Sequence, residues 1–250
     1  MEITLYTAFL LFFVALAAGT IDAIAGGGGL ITIPALLAVG LPPGAAIATN
    51  KAGGFAGSAA ATLQFLRKRQ IDLKKSRWMI LSSFAGALAG AWALTRIDSN
   101  ILKQLIPILL IGFALYFLLS PRVGAQDRTQ RIPNAAYAAT IAPLIGFYDA
   151  FFGPGTGTFL AISAVTLLGM NLTRATGHAK LLNLSSNMVA VVFYALHGDI
   201  VWAFGLPMLA GQWIGGTLGA RIAVNRGHQL IRIVMVAMAM IVSAKMLWQG

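Results

Sequence analysis

The sequence predicts an all-α polytopic membrane protein made of two tandem repeats, each with about five helical segments. Three observations carry this prediction. Of 250 residues, 58% are hydrophobic and only 10% charged, against roughly 25% charged in soluble domains. Runs at 78–95, 101–119 and 229–248 reach or approach the roughly 20 residues that cross about 30 Å of hydrocarbon. Nothing alternates like a barrel strand, so helices must satisfy the backbone in lipid. The third observation is that the chain is written twice. A constant offset pairs Gly19 with Gly146, Asp22 with Asp149, Ala23 with Ala150, Gly26 with Gly153 and Gly28 with Gly155. Beyond residue 40 a slightly longer offset pairs Gly40 with Gly169, Lys51 with Lys180, Ile71 with Ile200, Gly86 with Gly215 and Gly90 with Gly219. Small residues recur by chance in membrane helices, but charges are rare in this chain, so the Asp and Lys matches carry the weight.

The expected division is a first repeat at 1–120, a basic cytoplasmic linker at 121–133 and a second repeat at 134–250. The opening segment, 4–24, contains an "ALA" at 15–17 that imitates a signal-peptidase site; its leading residues hold Glu2 and no Lys or Arg, and it has a counterpart later in the chain. The next, 28–40, is short, so it is a half-helix, a re-entrant segment or a crossing completed by coil. Spans at 44–66, 77–95 and 100–119 complete the first repeat. The second follows the same plan at 134–152, 155–169 (again short), 172–196, 200–221 and 228–248.

The short segments leave eight to ten transmembrane helices open. If all five segments of each repeat cross, the repeats are inverted. An outside N-terminus then places the run "RKRQIDLKKSR" at 67–77, with Arg122, Arg128, Arg131, Arg174, Arg221 and Arg226, on the cytoplasmic side. The positive-inside rule favours this arrangement over one in which the short segments merely dip in.

The net charge of +11 lies mainly in short connections, which read as topology signals and contacts to anionic lipid rather than as a nucleic-acid surface. The chain has no cysteine, so disulfides, thiol chemistry and thiolate metal sites are excluded. No His, Glu and Asp cluster has metal spacing, and no cofactor is implied. "GGGGLIT" lacks the Gly-Lys-Ser/Thr of a phosphate loop, and no nucleophile motif is present, so the chain is not read as an enzyme.

The candidate site follows from what interrupts the apolar spans. "DAIAGGGGLIT" and "DAFFGPGTGTF" each break a helix, the second reinforced by Pro154. A broken helix leaves N–H groups free at the start of the next segment, where the dipole is positive and glycine permits close approach. Paired broken helices point to a substrate site near the midplane, with an anion as occupant. The candidate binding residues here are Gly26, Gly27, Gly28, Gly153, Gly155 and Thr156. Lys51 and Lys180 sit inside apolar spans, where a bare charge costs about 2.5–3.5 kcal/mol. They lead stripes at helical spacing: Lys51, Gly54, Ser58 and Thr62, then Thr176, Lys180, Asn183, Asn187 and Tyr194. Asn50, Ser58, His178, Asn183 and Asn187 join the lysines as candidate binding residues, and Asp22 and Asp149 as charge-tuning or proton-coupling residues.

Structural roles compete with each of these. Asp22 could cap the helix after the glycines or pair with Lys51. The lysines could snorkel to an interface. Ser58, Asn183 and Asn187 could bridge helices, and His178 could pack or hydrogen-bond rather than carry protons.

These residues resemble a known family. "GTIDAIAGGGGLITIPALLAVGLPPGAAIATNKAGGFAGSAAA", the second copy "GFYDAFFGPGTGTFLAISAVTLLGMNLTRATGHAKLLNLSSNMVA" and the following "HGDIVW" are similar to the sulfite exporter TauE/SafE family of bacterial inner-membrane permeases, over essentially the whole chain. The resemblance implies a multi-pass inner-membrane protein that moves sulfite or organosulfonates such as sulfoacetate, usually outward, with about eight transmembrane helices. The expected function is therefore secondary transport of a small sulfur-containing oxyanion by alternating access. A passive anion channel or a non-transporting scaffold is the alternative. The implied partners are the anion and the lipid bilayer. Glycine motifs permit a homodimer.

Overall fold

The structure, a computed structural model, describes residues 4–98, 100–101 and 129–249, with side chains as far as Arg226. The segment at 100–119 and most of the linker at 121–133 lie outside the described residues. Helix α1 (Leu5–Ala25) is followed by the short α2 (Gly29–Ala38), then α3 (Pro43–Arg67) and α4 (Leu73–Thr95). The second half has α5 (Asn134–Ala139), α6 (Ile141–Phe151), the short α7 (Thr156–Leu168), α8 (Leu172–His197) and α9 (Trp202–Gln249).

Two boundaries depart from the sequence expectation. The span 134–152 is two helices meeting at Thr140, whose φ of −122° leaves the helical range. The segments 200–221 and 228–248 are one continuous helix of 48 residues, about 72 Å long. The charges at Arg221 and Arg226 mark a change of environment, but they do not stop a helix. Gly227 alone does not stop it either, since the residues on both sides continue the helix.

Helix directions follow from which backbones touch. Gly211, Gly215 and Gly219 of α9 lie against the carbonyls of Phe12, Leu16 and Thr20 in α1, so these helices run parallel. In the same way Gly86 and Gly90 of α4 lie against the carbonyls of Pro143 and Phe147 in α6. A Cβ on any of these five glycines would meet a carbonyl oxygen at 2.0–2.3 Å, which is why small residues are needed where helices approach this closely. Helices α3 and α8 run antiparallel: Gly54 faces Asn187, and Gly177 faces Phe65.

Three apolar clusters order the elements along the bundle. At one end Ala23, Ile24, Phe65, Tyr137, Leu168, Leu172 and Ala223 pack together. At the other, Leu11, Leu36, Ala46, Phe204 and Met208 do. Ile33, Ala52, Ala150, Phe152 and Tyr194 pack between α2, α3, α6 and α8. Helix α1 therefore enters from the second end and α2 carries the chain back to it. Helices α5 and α6 enter from the first end, and α7 returns there, where the backbone N–H groups of Arg131 and Ile132 donate to the Leu167 carbonyl.

The end reached by α7 is strongly basic. Arg67, Lys68, Arg69, Lys74, Lys75, Arg77, Arg131 and Arg174 are exposed there. Arg96, stacked on Trp92 at 5.2 Å, lies at the opposite end. Between the ends the outer surface is apolar, with Leu81, Leu88, Leu144, Leu206, Trp213 and Leu218 exposed. Helices Leu5–Ala25, Leu73–Thr95 and Leu172–His197 are long and apolar enough to cross a membrane. An apolar belt with basic residues at one rim and Trp78, Trp92 and Trp202 toward the two rims is the surface expected of a bilayer protein.

Candidate substrate site

The two helix breaks meet in the interior. Gly26 closes α1 in the left-handed conformation (φ 87°), its N–H donating to the Asp22 carbonyl at 2.8 Å. It packs directly on the break of the other half: an added Cβ would lie 2.3 Å from the Thr158 nitrogen. The Thr158 hydroxyl donates to the Ala25 carbonyl, and Gly29 sits against Pro154. At the second break Gly153 has φ 97°, and a Cβ there would lie 2.5 Å from Lys51 Nζ. Glycine is required at this point both for the turn and for room to admit the ammonium.

Each lysine is paired with the aspartate of the other half. Lys51 Nζ donates to Asp149 Oδ1 at 3.0 Å, and the Ser186 hydroxyl donates to Asp149 Oδ2. Lys180 Nζ donates to Asp22 Oδ2 at 2.7 Å, while the Gly28 N–H donates to Asp22 Oδ1 at 3.1 Å. This corrects the pairing of Asp22 with Lys51 weighed from sequence, because α8 rather than α3 presents its lysine to the first break. It also rules out snorkelling, since both lysines are only 1% exposed. The N-terminus of α2, expected to await an external anion, is occupied by the protein's own Asp22 carboxylate.

Between the pairs lies a cavity of about 30 Å³ lined by Asp22, Gly28, Gly29, Asn50, Lys51, Gly54, Asp149, Gly153, Thr156, Gly157, Asn183, Asn187 and Gln212. This volume is close to that of one water in the liquid. Asn50 Oδ1 accepts from the Thr32 hydroxyl, and Asn187 Nδ2 donates to the Asn183 carbonyl at 2.8 Å, which leaves polar groups of both asparagines facing the space.

Several candidates stand elsewhere. Lys180 sits behind Asp22, outside the cavity lining. Gly26, Gly27 and Gly155 build the turns; Gly155 is the left-handed residue preceding α7. Ser58 donates to the Phe55 carbonyl within its own helix, and His178 Nδ1 pairs with the Ser76 hydroxyl of α4 at 3.2 Å. A carbonyl one turn away holds the Ser58 hydroxyl, and α4 holds His178 Nδ1, while His178 Nε2 is buried without a hydrogen-bond partner. Sequence reasoning missed Gln212 and Gly157. Gln212 is a buried amide in an apolar span, a signal of the same kind as Lys51, but its counterpart by the offset is Ser83, so the duplication does not draw attention to it.

A larger recess of about 220 Å³ opens at the end opposite the basic one, lined by Pro42, Gly44, Ala45, Ala48, Leu94, Thr95, Ile97, Tyr194 and Asp199. Tyr194 forms its floor, with its hydroxyl donating to the Ala150 carbonyl at 2.7 Å, next to Asp149. The offset pairs Tyr194 with Phe65 and Ala48 with Gly177. At the basic end the Phe65 ring fills the corresponding space against Gly177, 2.9 Å from where a Cβ would stand.

Residues 11–246 match the family described as sulfite exporter TauE/SafE. The chain belongs to the sulfite exporter TauE/SafE family. It is 44% identical over 240 residues to the Escherichia coli (strain K12) "Probable membrane transporter protein YfcA", covering 96% of this chain and 89% of that one. A Haemophilus influenzae protein named "Probable membrane transporter protein" is 42% identical over 248 residues, covering 99% and 97%. The more distant Bacillus subtilis "Probable membrane transporter protein YunE" is 24% identical over 262 residues, covering 94% and 95%. No solved structure matches this chain.

Proposed function

We propose that this protein is a secondary transporter of small sulfur-containing oxyanions, sulfite or a short organosulfonate, in the bacterial inner membrane, with outward movement as its physiological direction. The observation that carries this reading is the small, partly open cavity between the two helix breaks, lined by Asp22, Lys51 and Asp149 of the two ion pairs that each join one half of the chain to the other. In a bilayer protein a buried charge is costly, and such clusters mark substrate or ion pathways. The membrane-transporter names of the relatives support the same class of function.

The halves act as inverted repeats, 1–120 and 134–250, joined by a basic cytoplasmic linker, and they rock about the cavity in alternating access. Two features support this. The glycine contacts of α4 on α6 are matched by those of α9 on α1. Access is also unequal: the Tyr194 side carries a recess, whereas the Phe65 side is packed shut. The cavity as it stands is about 30 Å³, and it must widen to take an anion.

Uptake and counterflow of labelled sulfite and a panel of sulfonates into proteoliposomes test the proposal. Saturable flux with counterflow is expected, and folded Lys180→Gln should lose it. Conductance far above carrier turnover, or undiminished flux in a Lys51→Gln, Lys180→Gln double variant, would overturn it.

A further inference from the structure

The two ion pairs leave the site electrically neutral, with no cation spare for an incoming anion. We infer that Asp22 is the group that takes up a coupling proton, and that a monoanionic oxyanion then replaces its carboxylate between Lys180 and the N-terminus of α2. This inference rests on the anion-carrier reading and adds its coupling chemistry.

Asp22 is singled out from Asp149 by access and by partners. Its side chain is 19% exposed, whereas that of Asp149 is 2% exposed. Asp149 is held by an ammonium and a hydroxyl, both buried. Asp22 is held by an ammonium and one backbone N–H, and those two donors are what an oxyanion needs. Both Asp22 and Gly28 line the cavity, so an anion there reaches the donors once the carboxylate releases them. The charged groups facing Asp22 are Lys180 from α8 and, across the cavity, Lys51 from α3 and Asp149 from α6. Helices α2, α7 and α9 contribute Gly28 and Gly29, Thr156 and Gly157, and Gln212, none of them titratable. His178, although close in sequence to Lys180, is turned to Ser76 of α4.

The balance is simple. A proton from water binds the Asp22 carboxylate, the Lys180 ammonium and the Gly28 N–H are freed, and one negative charge enters to take them. On the far side the anion leaves, the proton returns to water and the Asp22–Lys180 pair re-forms. One proton travels with one monoanion, with no net charge moved. Transport then responds to a pH difference rather than to membrane potential, and net export occurs only when the anion's own gradient exceeds the opposing proton gradient.

The test measures anion-dependent thermal stabilisation of the full-length purified protein across pH, using isethionate and methanesulfonate, both monoanions that do not titrate near neutrality. In the wild type, apparent affinity should weaken about tenfold per pH unit on the alkaline side. Asp22→Asn, which stands in for the protonated carboxyl and gives Lys180 no carboxylate to hold, should bind without pH dependence. Should that variant fail to fold, Asp22→Glu should keep the pH dependence but move its midpoint, whereas Asp149→Glu should not move it. Stabilisation that is pH-independent in the wild type, or unchanged pH dependence in Asp22→Asn, overturns the inference and leaves the carrier reading intact. No stabilisation by either anion at any pH overturns both.

Discussion

Lys51–Asp149 and Lys180–Asp22 are the same chemical pair placed in two settings. The first is sealed: both side chains are 2% exposed, and a serine hydroxyl completes the carboxylate's shell. The second has an equally buried lysine, but its carboxylate is partly open and caps a half-helix. A sealed pair is costly to separate, because the desolvated partner left behind has nowhere to turn. A half-open pair at a helix terminus can exchange its anion. On the mechanism proposed above, the first pair holds α3 and α6 together and the second is the one that exchanges.

The largest test of that contrast is truncation. Asp149→Ala should destabilise the protein by about 3–5 kcal/mol, the cost of stranding a buried charge. Asp22→Ala strands an equally buried Lys180 and should cost about as much in the absence of anion. Denaturant unfolding in detergent gives both values, and added isethionate should restore part of the loss in Asp22→Ala but none in Asp149→Ala; equal restoration would erase the distinction between the settings. Next comes Gly153→Ala, which places a methyl against Lys51 Nζ at a left-handed φ. A loss of about 1–3 kcal/mol is expected from the backbone alone, and in thermal unfolding a shortened Lys51 should relieve only the steric clash and leave this backbone loss in place, since the φ persists.

A finer test concerns Gln212, which lines the cavity beside the Asp22 pair. Gln212→Ala should weaken substrate binding by about 0.5–1.5 kcal/mol, read as a severalfold rise in KM for proteoliposome flux. The smallest expected change is Ser186→Ala, which removes one donor from Asp149 while leaving Lys51 in place. Stability should fall by about 1 kcal/mol, with the pH dependence of anion binding unaltered. A shift in that dependence would mean that the sealed pair also titrates.

The membrane class, the helical build, the two breaks and the four central charges are legible along the chain because each is a local departure from an apolar background. Asp22, Lys51, Asp149 and Lys180 stand out for that reason, and nine of the candidate residues line the one cavity between the breaks. His178 and Ser58 lie outside the cavity lining, as the competing structural roles allow. A polar residue on a helix looks the same in sequence whether it faces a ligand or the carbonyl one turn away. Gln212 was missed because attention followed positions that matched between the halves.

By itself, then, the sequence determined where the two glycine breaks fall and which few side chains could not sit in lipid without a partner. Hydropathy, backbone satisfaction and glycine's freedom are properties of short stretches and can be read there. Tertiary structure alone decided the partners: that Asp22 meets Lys180 and Asp149 meets Lys51, that α2 ends on a carboxylate of its own chain, and that one end is recessed while the other is packed by Phe65. Those outcomes depend on which helices lie side by side. That is set by many small-residue contacts spread over the chain, such as those of α9 on α1 and α4 on α6, and no single stretch contains them.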